Sequence, residues 1–320
     1  MSVLVIGGNG FLGRRLVRSL LQDGGAPNVV SMDVNPPKEN FMKSIEAYSS
    51  KFSYFRGDLA QIEDILSAIK AYNVDKVVNL GYLMVFETEQ MPRLASKINV
   101  LGMCNAFEAA RLMGVERVIY ASSHAVYGSQ DHYGDREITE DDVPIPKFIY
   151  GIMKHLDERM AAVYSEQYGM KTLCFRPCHV FGTGREAARV ARLFTDLISL
   201  PAVGKPFSTD FAPWPYIWTY VDDVTRFIRI LLDAPSPKYK VYNIGGWTAT
   251  SVQVADIIRQ YIPGAKIEFG NQPADLGSPR KISNARARED LGFNLTPLRD
   301  SVLAHINEAR AEAGLSPIKA

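Results

Sequence analysis

The chain has little cysteine: three residues, Cys104, Cys174 and Cys178, among 320, with no CxxC pair. An odd number at irregular spacing argues against a disulfide framework and suits a reducing compartment. No apolar run reaches the ~18 residues that a membrane span requires, which excludes a helical integral membrane protein. Charge of one sign is missing too: 36 basic residues face 35 acidic ones, for a net charge of +1. A nucleic-acid groove carries a basic excess or stripe, so no nucleic-acid partner is expected. Met1 leads at once into Val3-Leu4-Val5-Ile6 and glycines, without a charged leader or cleavage site. A cytoplasmic protein with no membrane association is therefore expected. His132, His155 and His305 show no metal-ligand spacing, and no metal is expected.

What is present is ordinary globular composition, 47% hydrophobic and 22% charged, over a length of roughly two 150-residue units. Short apolar runs bounded by Gly, Asp or Ser read as strands: Val3–Ile6, Asn28–Met32, Phe52–Phe55, Lys76–Leu80, Arg117–Ala121 and Lys171–Phe175. Between them lie helical stripes. Leu12, Leu16 and Leu20 share a face, Ile62, Ile65, Leu66 and Ile69 repeat the spacing, and so do Val224, Phe227, Ile228 and Leu231. Val254, Ile257, Ile258 and Tyr261 follow the same rule. Alternation of this kind predicts an α/β fold, a Rossmann-type doubly wound parallel sheet with right-handed crossovers. After about Pro177 the regularity breaks into a stretch rich in Pro and aromatics. The expectation is a dinucleotide-binding domain over 1–177, with 220–246 returning to it. A smaller, discontinuous C-terminal substrate lobe would take 178–219 and 247–320.

The first strand runs into Gly7-Gly8-Asn9-Gly10-Phe11-Leu12-Gly13, followed by a helix. Gly7, Gly10 and Gly13 suit a tight turn, close backbone approach to a pyrophosphate, and close packing of helix on strand. The helix N-terminus offers N–H groups and a positive dipole end to the phosphates. Asp33 ends the second strand, twenty residues after Gly13. A carboxylate there accepts both adenosine ribose hydroxyls and repels a 2′-phosphate, which favours NAD over NADP.

Ser122-Ser123-His124 closes the Arg117–Ala121 strand, at the carboxyl edge where such sheets bind ligands. Tyr150 and Lys154 stand four apart at the start of a helix and share a face. An ammonium near a phenol stabilises the phenolate, and such a Tyr suits proton exchange with a secondary alcohol or ketone. Ser123 would hold the same substrate oxygen, and the nicotinamide would exchange the hydride.

In this order and spacing the chain resembles the extended short-chain dehydrogenase/reductases, the NAD-dependent epimerase/dehydratase family. The resemblance rests on the glycine loop, Asp33, Gly57-Asp58-Leu59, Asn99-Val100-x-Gly102, Ser122-Ser123-x-x-Val126-Tyr127-Gly128, Tyr150-x-x-x-Lys154, Arg176-Pro177, Tyr220-Val221-Asp222-Asp223-Val224 and Tyr242-Asn243-Ile244-Gly245-Gly246. It covers nearly the whole chain. It implies Tyr150 as acid/base, Lys154 also on the nicotinamide ribose, and Ser123 as the catalytic hydroxyl. It implies cofactor contacts from Gly7, Gly10, Phe11, Leu12, Gly13, Asp33, Asp58, Leu59, Leu80, Gly81, Asn99, Ser122, Tyr150, Lys154, Pro177 and His179. It also implies a homodimer through a four-helix bundle built from helices near 94–113 and 150–168.

The chain departs from the sugar-nucleotide pattern of that family at several anchors. His179 stands where Asn is usual, and Tyr216 where an Arg holds a diphosphate. Arg280 falls only four before Asn284, and His124-Ala125 replaces the Asp-Glu of the dehydratases. A diphosphate wants forked cationic donors, so these replacements argue against a nucleotide-linked substrate. Tyr82, His124, His179, Trp214, Tyr216 and Trp218 are the candidate substrate-binding residues. The aromatics among them line a pocket or fill the core of the small lobe, and both histidines touch substrate or serve structure. Cys174 and Cys178 read as small buried residues. The leading functional reading is an NAD-dependent oxidoreductase acting on a small-molecule, non-nucleotide secondary alcohol or ketone. A nucleotide-sugar epimerase using the same residues, and a catalytically silent NAD-binding protein, stay open as alternatives.

Overall fold

The computed structural model describes residues 1–22, 28–185 and 189–319. Positions 186–188, inside the stretch expected to select substrate, lie outside the described residues. The seven-stranded sheet follows from seven short apolar segments: β1 (Ser2–Ile6), β2 (Asn28–Asp33), β3 (Phe52–Arg56), β4 (Lys76–Asn79), β5 (Arg117–Ala121), β6 (Thr172–Pro177) and, after a long excursion, β10 (Val241–Gly245). Their order across the sheet is β10-β6-β5-β4-β1-β2-β3, and every neighbouring pair is parallel. Every residue of β1 and β4 is buried, as expected of strands covered on both faces. The order reverses between β1 and β4, which opens a crevice at their carboxyl ends.

Helices cover the sheet through the stripes seen in the sequence. Leu16, Val17, Leu20 and Leu21 of the Phe11–Gln22 helix are buried, as are Val224, Phe227, Ile228 and Leu231 of the Val221–Asp233 helix. The latter's C-terminal carbonyls meet two cations from the amino edge of the sheet. Arg117 Nη1 donates to the carbonyls of Leu231, Leu232 and Ala234 at 2.7, 3.2 and 2.7 Å. Lys76 Nζ donates to Leu232 O at 2.8 Å. Cations at this end satisfy orphan carbonyls and complement the helix dipole.

The stretch after β6 is more regular than its composition suggests. β7 (His179–Phe181) pairs in parallel with β9 (Pro215–Tyr220), and β11 (Trp247–Thr250) pairs antiparallel to β9. β8 (Phe207–Phe211) pairs in parallel with β12 (Ile267–Gln272). A Thr250–Gln253 capping box starts the Ser251–Tyr261 helix. Among the described residues no helix is long and apolar enough to cross a membrane. All three cysteines are free, with Cys174 and Cys178 buried.

The aromatic segment 211–218 corrects one expectation. Tyr216 and Trp218 lie on β9 with no exposed surface. The Tyr216 hydroxyl donates to Ala274 O at 2.7 Å, and Trp218 Nε1 donates to Ala249 O at 2.9 Å. Trp218 packs against Phe194 and Phe181, ring centroids 5.0 and 5.7 Å apart. Both side chains spend their polar atoms on backbone carbonyls and serve packing. Trp214 is partly buried against the same core. Truncating a buried Trp removes its transfer free energy and leaves a cavity. Trp218→Ala is expected to lower stability by about 3–5 kcal/mol, read as a fall in the urea midpoint. An unchanged midpoint with a raised substrate KM would return Trp218 to the pocket wall.

Candidate active site

At the carboxyl end of β1 the backbone is drawn tight. Gly7 takes φ +73°, and a Cβ there would lie 2.7 Å from Gly81 N. A Cβ on Gly13 would lie 2.2 Å from Gly7 O, so only glycine lets the helix start this close to the strand. Asn9 fixes the loop from behind. Its N–H donates to Asp33 Oδ2 at 3.2 Å, its Nδ2 donates to Asn35 O at 2.6 Å, and Ser31 Oγ donates to its Oδ1 at 2.8 Å. Asp33 also accepts from Asn35 N at 3.0 Å, which holds its carboxylate beside the glycine loop. Asp58 Oδ1 caps Ala60 N at 2.9 Å, and Leu59 packs beneath Gly81 and Gly102. Leu80 N bonds Ile6 O at 2.9 Å and Gly81 N bonds Asn79 Oδ1 at 3.0 Å. Phe11 and Leu12 open the helix, where first-turn N–H groups lack intrahelical partners. A glycine-rich loop, a helix N-terminus and an acid at the end of β2 fit the pyrophosphate and ribose of a dinucleotide.

Two residues named from the sequence are spent on support instead. Asn99 uses both ends of its amide on Leu83, accepting from its N–H at 2.8 Å and donating to its carbonyl at 3.1 Å. It therefore holds the segment after β4 in place. Ser122 Oγ donates to Glu158 Oε1 at 2.5 Å inside the protein.

Ser123, Tyr150 and Lys154 converge at the end of β5. Ser123 caps the short His124–Val126 turn, accepting from Ala125 N at 3.1 Å, and its hydroxyl reaches the Tyr150 hydroxyl. A Cβ on Gly151 would lie 2.5 Å from Ala125 O, so that glycine lets the Ile149–Tyr168 helix approach this turn. Tyr150 is 6% exposed, and burial pushes its phenol up to about 12 against the pull of Ser123 and Arg185. Lys154 Nζ donates to Ala121 O at 2.5 Å and sits 3.2 Å from the centroid of the Tyr82 ring. Its distance to the Tyr150 ring centroid is 5.8 Å. Burial brings the ammonium down to about 8, with Asp157 supporting its charge. Arg185, which sequence reasoning missed, is a further cation that pulls the phenol down. Its guanidinium donates to Val180 O at 2.5 Å and lies 6.0 Å from the Phe11 ring and 5.8 Å from the Phe194 ring. No local pattern marks Arg185. Asp157, also missed, stands three residues after Lys154, a spacing that could have found it.

His124 and His179 face each other at 4.5 Å between ring centroids, and His179 stacks on Phe194 at 5.0 Å. Burial lowers His124 to about 4 and His179 well below its usual value, so both are neutral at pH 7. His124 Nδ1 donates to Pro177 O at 3.1 Å, and His179 Nε2 meets Ser278 Oγ at 3.3 Å. Their other nitrogens have no partner among the described residues. No group of three or more metal-binding side chains occurs among the described residues.

Behind the cluster runs a buried polar chain. Arg176 grips Glu158 through Nε at 2.8 Å and Nη2 at 2.5 Å, and its Nη1 donates to the Tyr127 hydroxyl at 2.5 Å. That hydroxyl donates in turn to Asn243 Oδ1 at 3.0 Å. Burial alone would raise the Glu158 carboxyl. Arg176, His155 and Ser122 reverse this and hold it at about 2. Glu158→Gln leaves Arg176 buried and unpaired, and is expected to cost about 3–5 kcal/mol at pH 7. Because the folded value is depressed, this stability is present above the unfolded value of 4.5 and is lost as pH falls toward about 2. Denaturant unfolding of both proteins across that range should show the difference narrowing; a gap independent of pH would refute the linkage.

A glycine cradle at the switch point of a doubly wound sheet, with a Tyr–Lys pair beside it, defines a Rossmann-type dinucleotide enzyme. The model of the NAD dependent epimerase/dehydratase family matches residues 3–245, and the chain belongs to that family. It is 28% identical over 303 residues to UDP-glucose 4-epimerase of Mycolicibacterium smegmatis, covering 92% of this chain and 93% of the relative. It is 30% identical over 261 residues to an uncharacterized protein of Methanocaldococcus jannaschii, covering 76% and 75%. Among solved structures, a GalE-like L-threonine dehydrogenase from Cupriavidus necator superposes with TM-score 0.85 at 22% identity, over 96% of this chain and 99% of that one. UDP-glucose 4-epimerase of Thermus thermophilus, in complex with NAD, gives 0.83 at 24% identity, over 97% and 99%. The chain is thus an NAD-dependent enzyme of the short-chain dehydrogenase/reductase type.

Proposed function

We propose that this enzyme interconverts a secondary alcohol and a ketone on a small, non-nucleotide substrate. The observation that carries the reading is the convergence of Ser123, Tyr150 and Lys154 at the end of β5, beside the glycine cradle. NAD, when bound, supplies the hydride acceptor or donor. In the oxidative direction Tyr150 takes the alcohol proton while Ser123 holds the oxygen. Arg185 favours the phenolate, and Lys154 binds the nicotinamide ribose. Gly7, Gly10, Phe11, Leu12 and Gly13 take the pyrophosphate, and Asp33 the adenosine ribose.

The preference for a non-nucleotide substrate rests on the missing diphosphate anchors. Tyr216 is sealed in the core, and Arg280 is committed to Asp131 at 3.1 Å. In this reading the substrate wall comes from the described residues of 178–219 and 247–320, with Tyr82, His124 and His179 as its polar lining. The second reading, a nucleotide-sugar epimerase, is favoured by the near full-length likeness to UDP-glucose 4-epimerase.

A panel of free sugars, uronic acids, hydroxy acids, cyclic and aromatic secondary alcohols and UDP-sugars separates the two. Accumulation of NADH with a non-nucleotide alcohol is expected. Retained NAD, no net NADH and interconversion of a UDP-sugar would establish the epimerase. Tyr150→Phe is expected to lower kcat by about 10²–10⁴ while NAD still binds; turnover equal to wild type would sink the mechanism.

A homodimer in a cytoplasmic setting belongs to the same proposal. Ile152, Leu156 and Val163 lie exposed on the Ile149–Tyr168 helix, and Leu101 and Leu112 are exposed on the 96–112 segment. Leu156→Arg should convert a dimer to a monomer in light scattering; a wild-type protein that is already monomeric would exclude the bundle.

A further inference from the structure

We propose that Tyr82 and Asp157 form a positioning pair for Lys154, in which the Tyr82 ring carries the ammonium on its face and Asp157 anchors that ring through its hydroxyl. The inference rests on reading Lys154 as a ligand of the nicotinamide ribose. Its basis is geometric. Lys154 Nζ lies 3.2 Å from the Tyr82 ring centroid, close enough for a strong cation–π contact in a desolvated place. The Tyr82 hydroxyl donates to Asp157 Oδ2 at 2.9 Å. The same ring stands edge-on to Tyr150, centroids 5.6 Å apart and planes at 87°. One ring therefore touches both the lysine and the tyrosine of the site.

Lys154 needs such a holder. Ala121 O takes one of its three N–H groups, and the ring face attracts the charge without consuming another. The ammonium stays at the end of β5 with donors free for two vicinal hydroxyls. Asp157 is fully buried, and its Oδ1 has no partner among the described residues. A buried carboxylate left half-satisfied is expensive as a packing element. Burial pushes the Asp157 carboxyl up to about 7, against the pull of the Lys154 ammonium three residues earlier on the same helix.

The other groups around the pair come from every packed element. Glu158 on the same helix is tied to Arg176. Cys174 on β6 and Tyr120 on β5 are buried protonated groups, and burial raises both. Cys104, on the Gly102–Leu112 helix, feels Asp157. Tyr150 stands edge-on to the Tyr82 ring, and Arg185 in turn lowers Tyr150. Within this set Asp157 is the leading support of the Lys154 charge, which fits the ammonium titrating at about 8 despite its burial.

NADH binding, followed by its fluorescence across pH, tests this without a known substrate. Lys154→Met sets the reference and should weaken NADH binding and flatten its alkaline decline. Tyr82→Leu should weaken binding at pH 7 by about threefold to tenfold, and Tyr82→Phe, which keeps the ring but loses its hydroxyl anchor, should fall between that variant and wild type. Asp157→Asn removes the supporting charge, so Lys154 loses its proton sooner. The alkaline midpoint of binding should move down by about one pH unit. Circular dichroism confirms that each variant is folded; should Asp157→Asn fail to fold, the Tyr82 variants decide alone. Weakened binding in Lys154→Met, with wild-type affinity in Tyr82→Leu and an unmoved midpoint in Asp157→Asn, would overturn the pair. Wild-type binding in Lys154→Met would instead overturn the ribose reading on which it rests.

Discussion

The Ile149–Tyr168 helix carries Tyr150, Lys154, Asp157 and Glu158, and its seating is fixed by one buried ion pair. Glu158 meets Arg176 of β6 through two N–H groups and takes the Ser122 hydroxyl as well. This pair sets the depth and rotation of the helix against β5 and β6. One turn nearer the N-terminus that rotation places Lys154 under Ala121, and a further turn on it aims Tyr150 at Ser123. A buried pair of this kind adds little net stability compared with well-packed apolar groups. Its contribution is register, because the carboxylate and guanidinium satisfy each other in only one arrangement.

Around that axis the polar interior divides in two. On one side Arg176 gives a further N–H to Tyr127, which reaches Asn243 on β10, so the last strand of the sheet is tied into the network behind the site. On the other side Lys154, Tyr82 and Asp157 lie nearer the cleft, with one carboxylate oxygen unsatisfied. The half gripped by the ion pair is built to stay still. The half that holds Lys154 is the one that can exchange partners with ligand.

Much of the fold was legible because local chemistry and global topology agree. β1, β4 and β5 are short, apolar and followed by turn residues, and the glycines after β1 stand where a strand must hand over to a helix without room for side chains. The segment 211–218 was not legible. A fully buried aromatic strand and an aromatic pocket wall have the same composition, and only the partners of Tyr216 and Trp218, at Ala274 and Ala249, tell them apart. The pairing of β8 with β12 was hidden because its two strands are far apart in sequence. In the site, Tyr150 and Lys154 announce each other by spacing. Arg185 influences the phenol from a distant loop, and Asn99 and Ser122 turn inward to backbone and carboxylate for reasons no sequence pattern carries.

Arg117 and Lys76 at the amino edge of the sheet tie the early chain to its later half. Both cations are buried against the carbonyl end of the Val221–Asp233 helix, more than a hundred residues downstream. A ribosome that has released the chain only as far as β6 has made six adjacent strands but left these two charges without their acceptors. The early sheet can collapse during synthesis, yet it cannot close its lower edge until that helix emerges. The early sheet and the late helix therefore share one edge, and loss of the C-terminal half would leave two buried cations without their carbonyls.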